Sequence, residues 1–201
     1  MKRAAASTMK YQGNNMQDYH DFLSEVLIPE ADLQKRISEL AAEISADYQG
    51  KNLHLVCILR GGVLFLADLM RRLTVNHTID FMAVSSYGVG ARRTTGQVRI
   101  SLDLKEDIHD REVLLVEDIV DSGYTIASVL EMLATRHPKS LKVCALLDKV
   151  ERREIEVPIH YRGFAIPDRF VFGYGLDLDE YYRNLPFIGA VDPQRYLPGE
   201  K

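Results

Sequence analysis

The chain has 201 residues, of which 46% are hydrophobic and 27% charged, and it carries a net charge of −4. That is enough for one sizeable domain, or a domain with a small appendage, of ordinary globular composition. The acidic balance argues against nucleic acid as the main partner but leaves room for a local cationic pocket, and no apolar stretch approaches the roughly 20 residues that span a bilayer.

Residues 1–15 are basic and then polar, without the apolar centre of a secretory signal. They are expected to form a flexible arm, with 16–201 as a single domain in the cytoplasm. Residues 30–48 predict a helix, because Leu33, Ile37, Leu40, Ala41 and Ile44 share one face. A strand is expected over 52–59, stopped by Gly61 and Gly62, then a helix over 63–73 and a strand over 79–84. The stretch SSYGVGARRTTGQVR (85–99) holds three glycines, three arginines and no apolar period. It reads as a mobile loop or a loosely held hairpin. A strand over 112–116, a helix over 125–136 ending before Pro138, and a strand over 141–147 complete the alternation.

Strands alternating with helices indicate an α/β fold with a central, mostly parallel, twisted sheet flanked by helices, its core at about 50–149. Residues 150–201 change character: Tyr161, Phe164, Phe170, Phe172, Tyr174, Tyr181 and Tyr182 fall among short strands and turns. They predict a small hood lobe, shared with part of the N-terminal segment, that closes over the sheet's carboxyl edge. Cys57 and Cys144 lie in the apolar runs HLVCIL and KVCALL, which favours buried free thiols over a disulfide. The six histidines are scattered, and no Cys/His spacing suggests zinc.

The chemistry concentrates in VLLVEDIVDSGYT (113–125). An apolar run leads to Glu117 and Asp118, then to Asp121, Ser122, Gly123, Tyr124 and Thr125. A helix follows whose Ile126, Val129, Leu130 and Leu133 lie on one face. Backbone N–H groups at a helix start bind phosphate. Carboxylates just before it would repel a phosphate, so they should face sugar hydroxyls or a metal. An ordinary βα unit with an acidic turn accounts for the strand and the helix. It does not account for three acids crowded beside a phosphate-type loop, where like charges oppose one another.

This segment resembles the signature of the type I phosphoribosyltransferases: an apolar run, two acids, two apolar residues, Asp, Ser or Thr, Gly, any residue, Thr. The chain meets it at every position. The likeness continues, in the family's order, through LRGG (59–62), the pair Ser86-Tyr87, Lys149 at the end of an apolar run, and IPDRFVFGYGLDLDEYYR (166–183). It thus covers about 50–190 and points to the branch that uses 6-oxopurines.

The resemblance implies transfer of a phosphoribosyl group from 5-phosphoribosyl 1-diphosphate to N9 of hypoxanthine or guanine, with Mg²⁺ as cofactor and a homodimer or homotetramer as the assembly. It gives the loop Asp121–Thr125 the 5′-phosphate, and Glu117 and Asp118 the ribose hydroxyls, directly or through metal-bound water. Asp121 becomes the general base near N7. Arg60, Gly61 and Arg183 are placed at the pyrophosphate. Lys149 would serve the 6-oxo group, since an ammonium can only donate. Phe170 would stack on the base and Val171 would meet its edge. Asp177, in the same purine-binding segment, would help hold Mg²⁺. Ser86 and Tyr87 would form a lid that keeps water from an oxocarbenium-like centre. Arg60 stands where the family has lysine, and a planar fork is not a point charge. A xanthine or pyrimidine acceptor, a nucleic-acid-binding regulator that keeps the loop, and a plain structural domain are the competing readings.

Overall fold

The computed structural model describes residues 17–86 and 98–196. In chain order the elements are α1 (Tyr19–Phe22), β1 (Leu23–Ile28), α2 (Glu30–Asp47), β2 (Leu53–Leu59), α3 (Val63–Met70), β3 (His77–Ser86), β4 (Val98–Leu102), β5 (Glu112–Val120), α4 (Tyr124–Ala134) and β6 (Ser140–Asp148). A 3-10 turn (Val150–Arg152), β7 (Tyr161–Ala165), β8 (Val171–Phe172) and β9 (Ile188–Val191) follow.

Strands buried on both faces must be apolar nearly throughout, and β2, β5 and β6 meet that demand in the centre of the large sheet. Its order is β4-β3-β2-β5-β6-β7, parallel except for β4. Side chains alternate strictly between the faces. Leu55, Cys57, Leu114, Val116, Cys144 and Leu146 pack under α2 and α3, against Leu33, Ile37, Leu40, Phe65 and Leu69. Val56, Ile58, Val113, Leu115, Val143 and Ala145 pack under α4, against Val129 and Leu133. Both cysteines are free and buried, and burial pushes the Cys57 thiol up to about 12. The α/β architecture with helices on both faces is therefore the one the alternation predicts.

The hood is a three-stranded antiparallel sheet, β1-β9-β8, built from both ends of the described chain. Phe22, Phe172, Leu178, Tyr182 and Leu185 form its own core. Phe22 sits edge-on to Tyr182 and Tyr196 at 5.3 and 5.0 Å between ring centroids.

Several boundaries differ from expectation. The strand expected to stop at residue 116 continues to Val120, because β6 runs on to Asp148 and offers ladder partners to Glu117 and Ile119. The helix expected over 63–73 ends at Met70, where the chain turns toward β3. β7, from the stretch expected in the hood, instead joins the large sheet beside β6, reached through the 3-10 turn without an α-helix. Within 85–99, Ser85 and Ser86 pair with Arg99 and Val98, which is the hairpin alternative for the part described. The arm at 1–15 and the lid residue Tyr87 lie outside the described residues. Among the described residues, no helix is long and apolar enough to cross a membrane.

Candidate active site

From β2 the chain passes to β3 on one side, and β5 then returns to the other side of β2. That reversal leaves a crevice beyond the carboxyl ends of β2 and β5, where ligands bind in open α/β sheets. The Leu59–Arg60 peptide, at the end of β2, is cis. A Cβ on Gly61 would fall 1.5 Å from Asp118 Oδ2, and one on Gly175 would fall 2.1 Å from the Gly61 carbonyl oxygen. Only glycine lets these backbones approach so closely. Three segments distant in sequence, LRGG, the acid pair and GYGLD, thus meet at one point.

Glu117 is buried, and its Oε2 has no hydrogen-bond partner. Asp118 is half-buried, and its Oδ1 accepts from the Ile119 N–H at 2.8 Å. Burial first, then the neighbouring Asp118, holds the Glu117 carboxyl well above the usual range. Burial likewise pushes Asp118 up to about 6, against the opposing pull of the Ile119 amide. Burial therefore disfavours the charged form of both carboxyls, most of all at Glu117, where the neighbouring Asp118 adds to it.

The next turn forms the phosphate-type loop. Gly123 caps α4 with φ +97°, and the first helical bond runs from the Ala127 N–H to the Gly123 carbonyl. The amides of Tyr124, Thr125 and Ile126 accordingly point out of the helix start. A concavity of about 100 Å³ opens there, lined among others by Glu117, Asp121, Ser122, Gly123, Thr125 and Ile126. The loop rests on residues 153–155: Glu154 and Ile155 both donate their N–H to the Ser122 carbonyl, at 3.0 and 3.1 Å. Beneath it the buried Arg153 guanidinium pairs with Asp148, which also accepts Arg162 Nε at 2.8 Å.

Beside the loop lies the buried Lys149 ammonium, 3.3 Å from Asp121 Oδ2 and 3.8 Å from Asp168 Oδ1. Arg152 places Nε 3.0 Å from Asp121 Oδ1 and Nη1 3.3 Å from Asp168 Oδ1. Sequence reasoning gave Arg152 and Asp168 no role. The available signal was the spacing Lys149-x-x-Arg152, which a 3-10 turn folds back on itself: the Arg152 N–H donates to the Lys149 carbonyl at 3.1 Å.

Arg183 reaches Asp177 Oδ1 with Nη2 at 2.7 Å and the Gly175 carbonyl with Nη1 at 2.8 Å. Asp177 Oδ2 also accepts the Glu180 N–H at 2.9 Å. Arg60 is turned to solvent and pairs with Glu180 at 2.9 Å. Phe170 is 64% exposed, while Val171 is buried on β8, an edge strand. Ser86 ends β3. Among the described residues, no group of three or more His, Cys, Asp or Glu side chains is arranged to hold a metal ion. A larger hollow of about 620 Å³ lies at the opposite, amino edge of the sheet. Its cations are already engaged: Lys139 with Glu112 at 3.2 Å, Arg111 with Thr78 at 2.7 Å and Lys51 with the Asp47 carbonyl at 3.0 Å.

An acid pair, a glycine-capped phosphate loop and a glycine turn converging at the switch point of a parallel sheet define a type I phosphoribosyltransferase. The chain belongs to that family: the model of the phosphoribosyl transferase domain matches residues 30–180. It is similar to the hypoxanthine phosphoribosyltransferase of Escherichia coli (strain K12), 52% identical over 169 residues, or 83% of this chain and 94% of that protein. It is also similar to the hypoxanthine-guanine phosphoribosyltransferase of Staphylococcus aureus (strain Mu50), 46% identical over 177 residues, or 88% of this chain and 98% of that protein. The crystal structure of a hypoxanthine phosphoribosyltransferase from Staphylococcus aureus matches with a TM-score of 0.85 at 46% identity, over 89% of this chain and 97% of that one.

Proposed function

We propose that the protein is a purine-salvage enzyme that transfers the phosphoribosyl group of 5-phosphoribosyl 1-diphosphate to N9 of hypoxanthine or guanine, releasing pyrophosphate. The observation that carries this reading is the buried Lys149 ammonium held 3.3 Å from Asp121 beside the phosphate loop. A proton acceptor and a fixed donor stand side by side, as a 6-oxopurine with an ionisable ring nitrogen requires.

In this reading the α4 start, with Ser122 and Thr125, cradles the 5′-phosphate. The unpartnered Glu117 Oε2 and the Asp118 carboxylate accept the ribose hydroxyls. The charge on Asp118 also favours the positive charge that develops on the sugar ring. Asp121 removes the proton near N7, which lets N9 attack C1′ as pyrophosphate leaves. Phe170 offers its exposed face to the base, and the free edge of β8 presents backbone at Val171. Arg60, Gly61 and Arg183 serve the pyrophosphate, and Ser86 and Tyr87 the lid.

The donor set suits Mg²⁺, which keeps several waters and binds through one or two carboxylates plus substrate phosphates rather than in a protein cage. Asp177 would hold it, with Glu117 and Asp118 meeting its bound water, and the ion would neutralise the leaving pyrophosphate. A cytoplasmic homodimer or homotetramer belongs to the same proposal. The test is a base panel with 5-phosphoribosyl 1-diphosphate and Mg²⁺, following nucleotide and pyrophosphate. Hypoxanthine and guanine should give IMP and GMP, and adenine should react poorly because its 6-amino group meets the Lys149 donor. No nucleotide from any 6-oxopurine refutes the reading.

A further inference from the structure

Four charged side chains at the base end of the site close a ring of alternating sign. Lys149 Nζ lies 3.3 Å from Asp121 Oδ2 and 3.8 Å from Asp168 Oδ1; Arg152 lies 3.3 Å from Asp168 Oδ1 and 3.0 Å from Asp121 Oδ1. The members come from the loop after β5, the end of β6 with its 3-10 turn, and the segment before β8. Only Lys149 is buried, with 6% of its side chain exposed, whereas the other three side chains are 42–49% exposed. Among the described residues, the ion pairs of Arg152 and Asp168 go only to ring members.

We propose that Arg152 and Asp168 are positioning residues for the reaction: Asp168 aims the Lys149 ammonium at the 6-oxo group, and Arg152 fixes the Asp121 carboxylate for the ring nitrogen. The inference rests on the function proposed above. An ammonium has three donors and no acceptor. Asp121 accepts one of them at 3.3 Å and the Asp168 charge attracts the ammonium from 3.8 Å, which leaves N–H groups for the purine oxygen. Without the Asp168 charge, Nζ can swing about its hydrogen bond to Asp121, and the remaining N–H groups lose their aim. Asp121 has the complementary need. Lys149 donates to Oδ2, and the Arg152 guanidinium lies 3.0 Å from Oδ1 as an ion pair without a hydrogen bond, so the carboxylate is held between two cations before the purine arrives, which is the kind of preorganisation that catalysis rewards. Arg152 suits the task because its guanidinium hydrogen-bonds Asp168 through Nη1 while Nε stays in ion-pair range of Asp121. Half-exposed pairs contribute little to folding, so the ring's effect should appear in kinetics rather than in melting.

The experiment is steady-state kinetics on the full chain with each substrate varied, for the parent, Asp168→Asn, Arg152→Gln, Arg152→Lys and the double variant Asp168→Asn with Arg152→Gln, together with thermal melts. Asp168→Asn should raise KM for hypoxanthine and guanine by about 10-fold, the scale of one lost charge-assisted hydrogen bond, and leave KM for 5-phosphoribosyl 1-diphosphate within about twofold. Arg152→Gln should lower kcat by about 10-fold with a smaller change in purine KM, and Arg152→Lys should recover part of it. The double variant should lose less than the product of the single losses, because both residues act through one ring. Unchanged kcat and purine KM in both single variants, or equal losses of affinity for both substrates, overturn the proposal. A parent that forms no nucleotide with any 6-oxopurine overturns the function itself and this inference with it. An active parent with unaffected variants overturns the inference alone.

Discussion

Replacing Asp118 by asparagine removes an ionisable group from the most acid-crowded point of the fold while nearly preserving its shape. Burial pushes the Asp118 carboxyl from 3.8 up to about 6. A carboxyl held that far above its ordinary value carries a penalty of roughly 3 kcal/mol on its charged form at neutral pH. Asp118 is only half-buried, so solvent screening reduces this to about 1–2 kcal/mol. The amide oxygen of asparagine can still accept the Ile119 N–H, now at 2.8 Å, and its NH₂ gives Glu117 a donor in place of a like charge. Asp118→Asn should therefore raise the melting temperature by about 3–6 °C at neutral pH for a chain of this size. The sign of the pH dependence follows from the direction in which the carboxyl is displaced. The folded carboxyl holds its proton more tightly than the unfolded one, so the parent loses stability as pH rises through about 4 to 6 and levels off above about 7. The variant lacks that loss. The two proteins should converge near pH 4 or below, separate as pH rises through about 4 to 6, and stay apart above about 7. His54 and His160, both held below the usual imidazole range chiefly by burial, titrate in parent and variant alike and cancel in the difference. Urea or thermal unfolding at several pH values between about 3.5 and 7.5 measures it. A variant no more stable than the parent at neutral pH, or a difference that does not shrink on acidification, refutes the reasoning. In the same protein KM for 5-phosphoribosyl 1-diphosphate should rise, because the charge that burial opposes is the one proposed to meet the sugar.

Asp121→Asn should lower kcat by about 10² or more at saturating substrates, the usual scale for a general base, and an undiminished kcat in a well-folded variant would remove the assignment. Gly123→Ala forces a side chain onto φ +97° with its Cβ 2.4 Å from the Ile155 carbonyl oxygen. It should cost about 1–3 kcal/mol of stability in urea unfolding and raise KM for the sugar diphosphate; a parental melting curve would contradict the packing described. Phe170→Ala removes a ring that is 64% exposed, so the melting temperature should stay within about 1 °C of the parent. Purine KM should nevertheless rise by about 10-fold through lost stacking, as initial rates with hypoxanthine varied would show.

What could be read from the sequence was local. β2, β5 and β6 announce themselves because a strand covered on both faces carries a near-continuous apolar run, and α2 because its five apolar residues repeat along one face. The acid pair, the loop and the start of α4 are contiguous, so their chemistry survives without knowledge of the fold. β1, with a single buried residue, and β8, with two residues in all, carry no such period. They exist because the hood pairs the two ends of the described chain, which no local pattern encodes. β7 departs from expectation for a related reason. Tyr161–Ala165 is short and follows a stretch without an α-helix, so it resembles a hood strand until its ladder with β6 is seen.

The residues that sequence reasoning missed share one property: each acts by meeting a partner it cannot see along the chain. Asp168 lies 19 residues beyond Lys149 and 47 beyond Asp121, yet it shares their charge ring. Arg60 shows the converse. The motif puts its charge beside the diphosphate, and the structure places it in an exposed pair with Glu180, 120 residues away. An exposed pair of this kind is worth about 0–1 kcal/mol, so it holds the guanidinium only loosely. A diphosphate offers more charge and several acceptors to the same fork and competes with Glu180 on favourable terms. The Lys149 ammonium differs in kind. Buried, hydrogen-bonded to Asp121 and ion-paired with Asp168, it cannot be drawn away cheaply, because leaving Asp121 costs a charge-assisted hydrogen bond in a partly dry site. Under the proposed function the two cations would thus divide the labour that one motif match assigned to both: a loosely held charge for the diphosphate, and a fixed donor for the base, where discrimination between a 6-oxo and a 6-amino group has to be rigid.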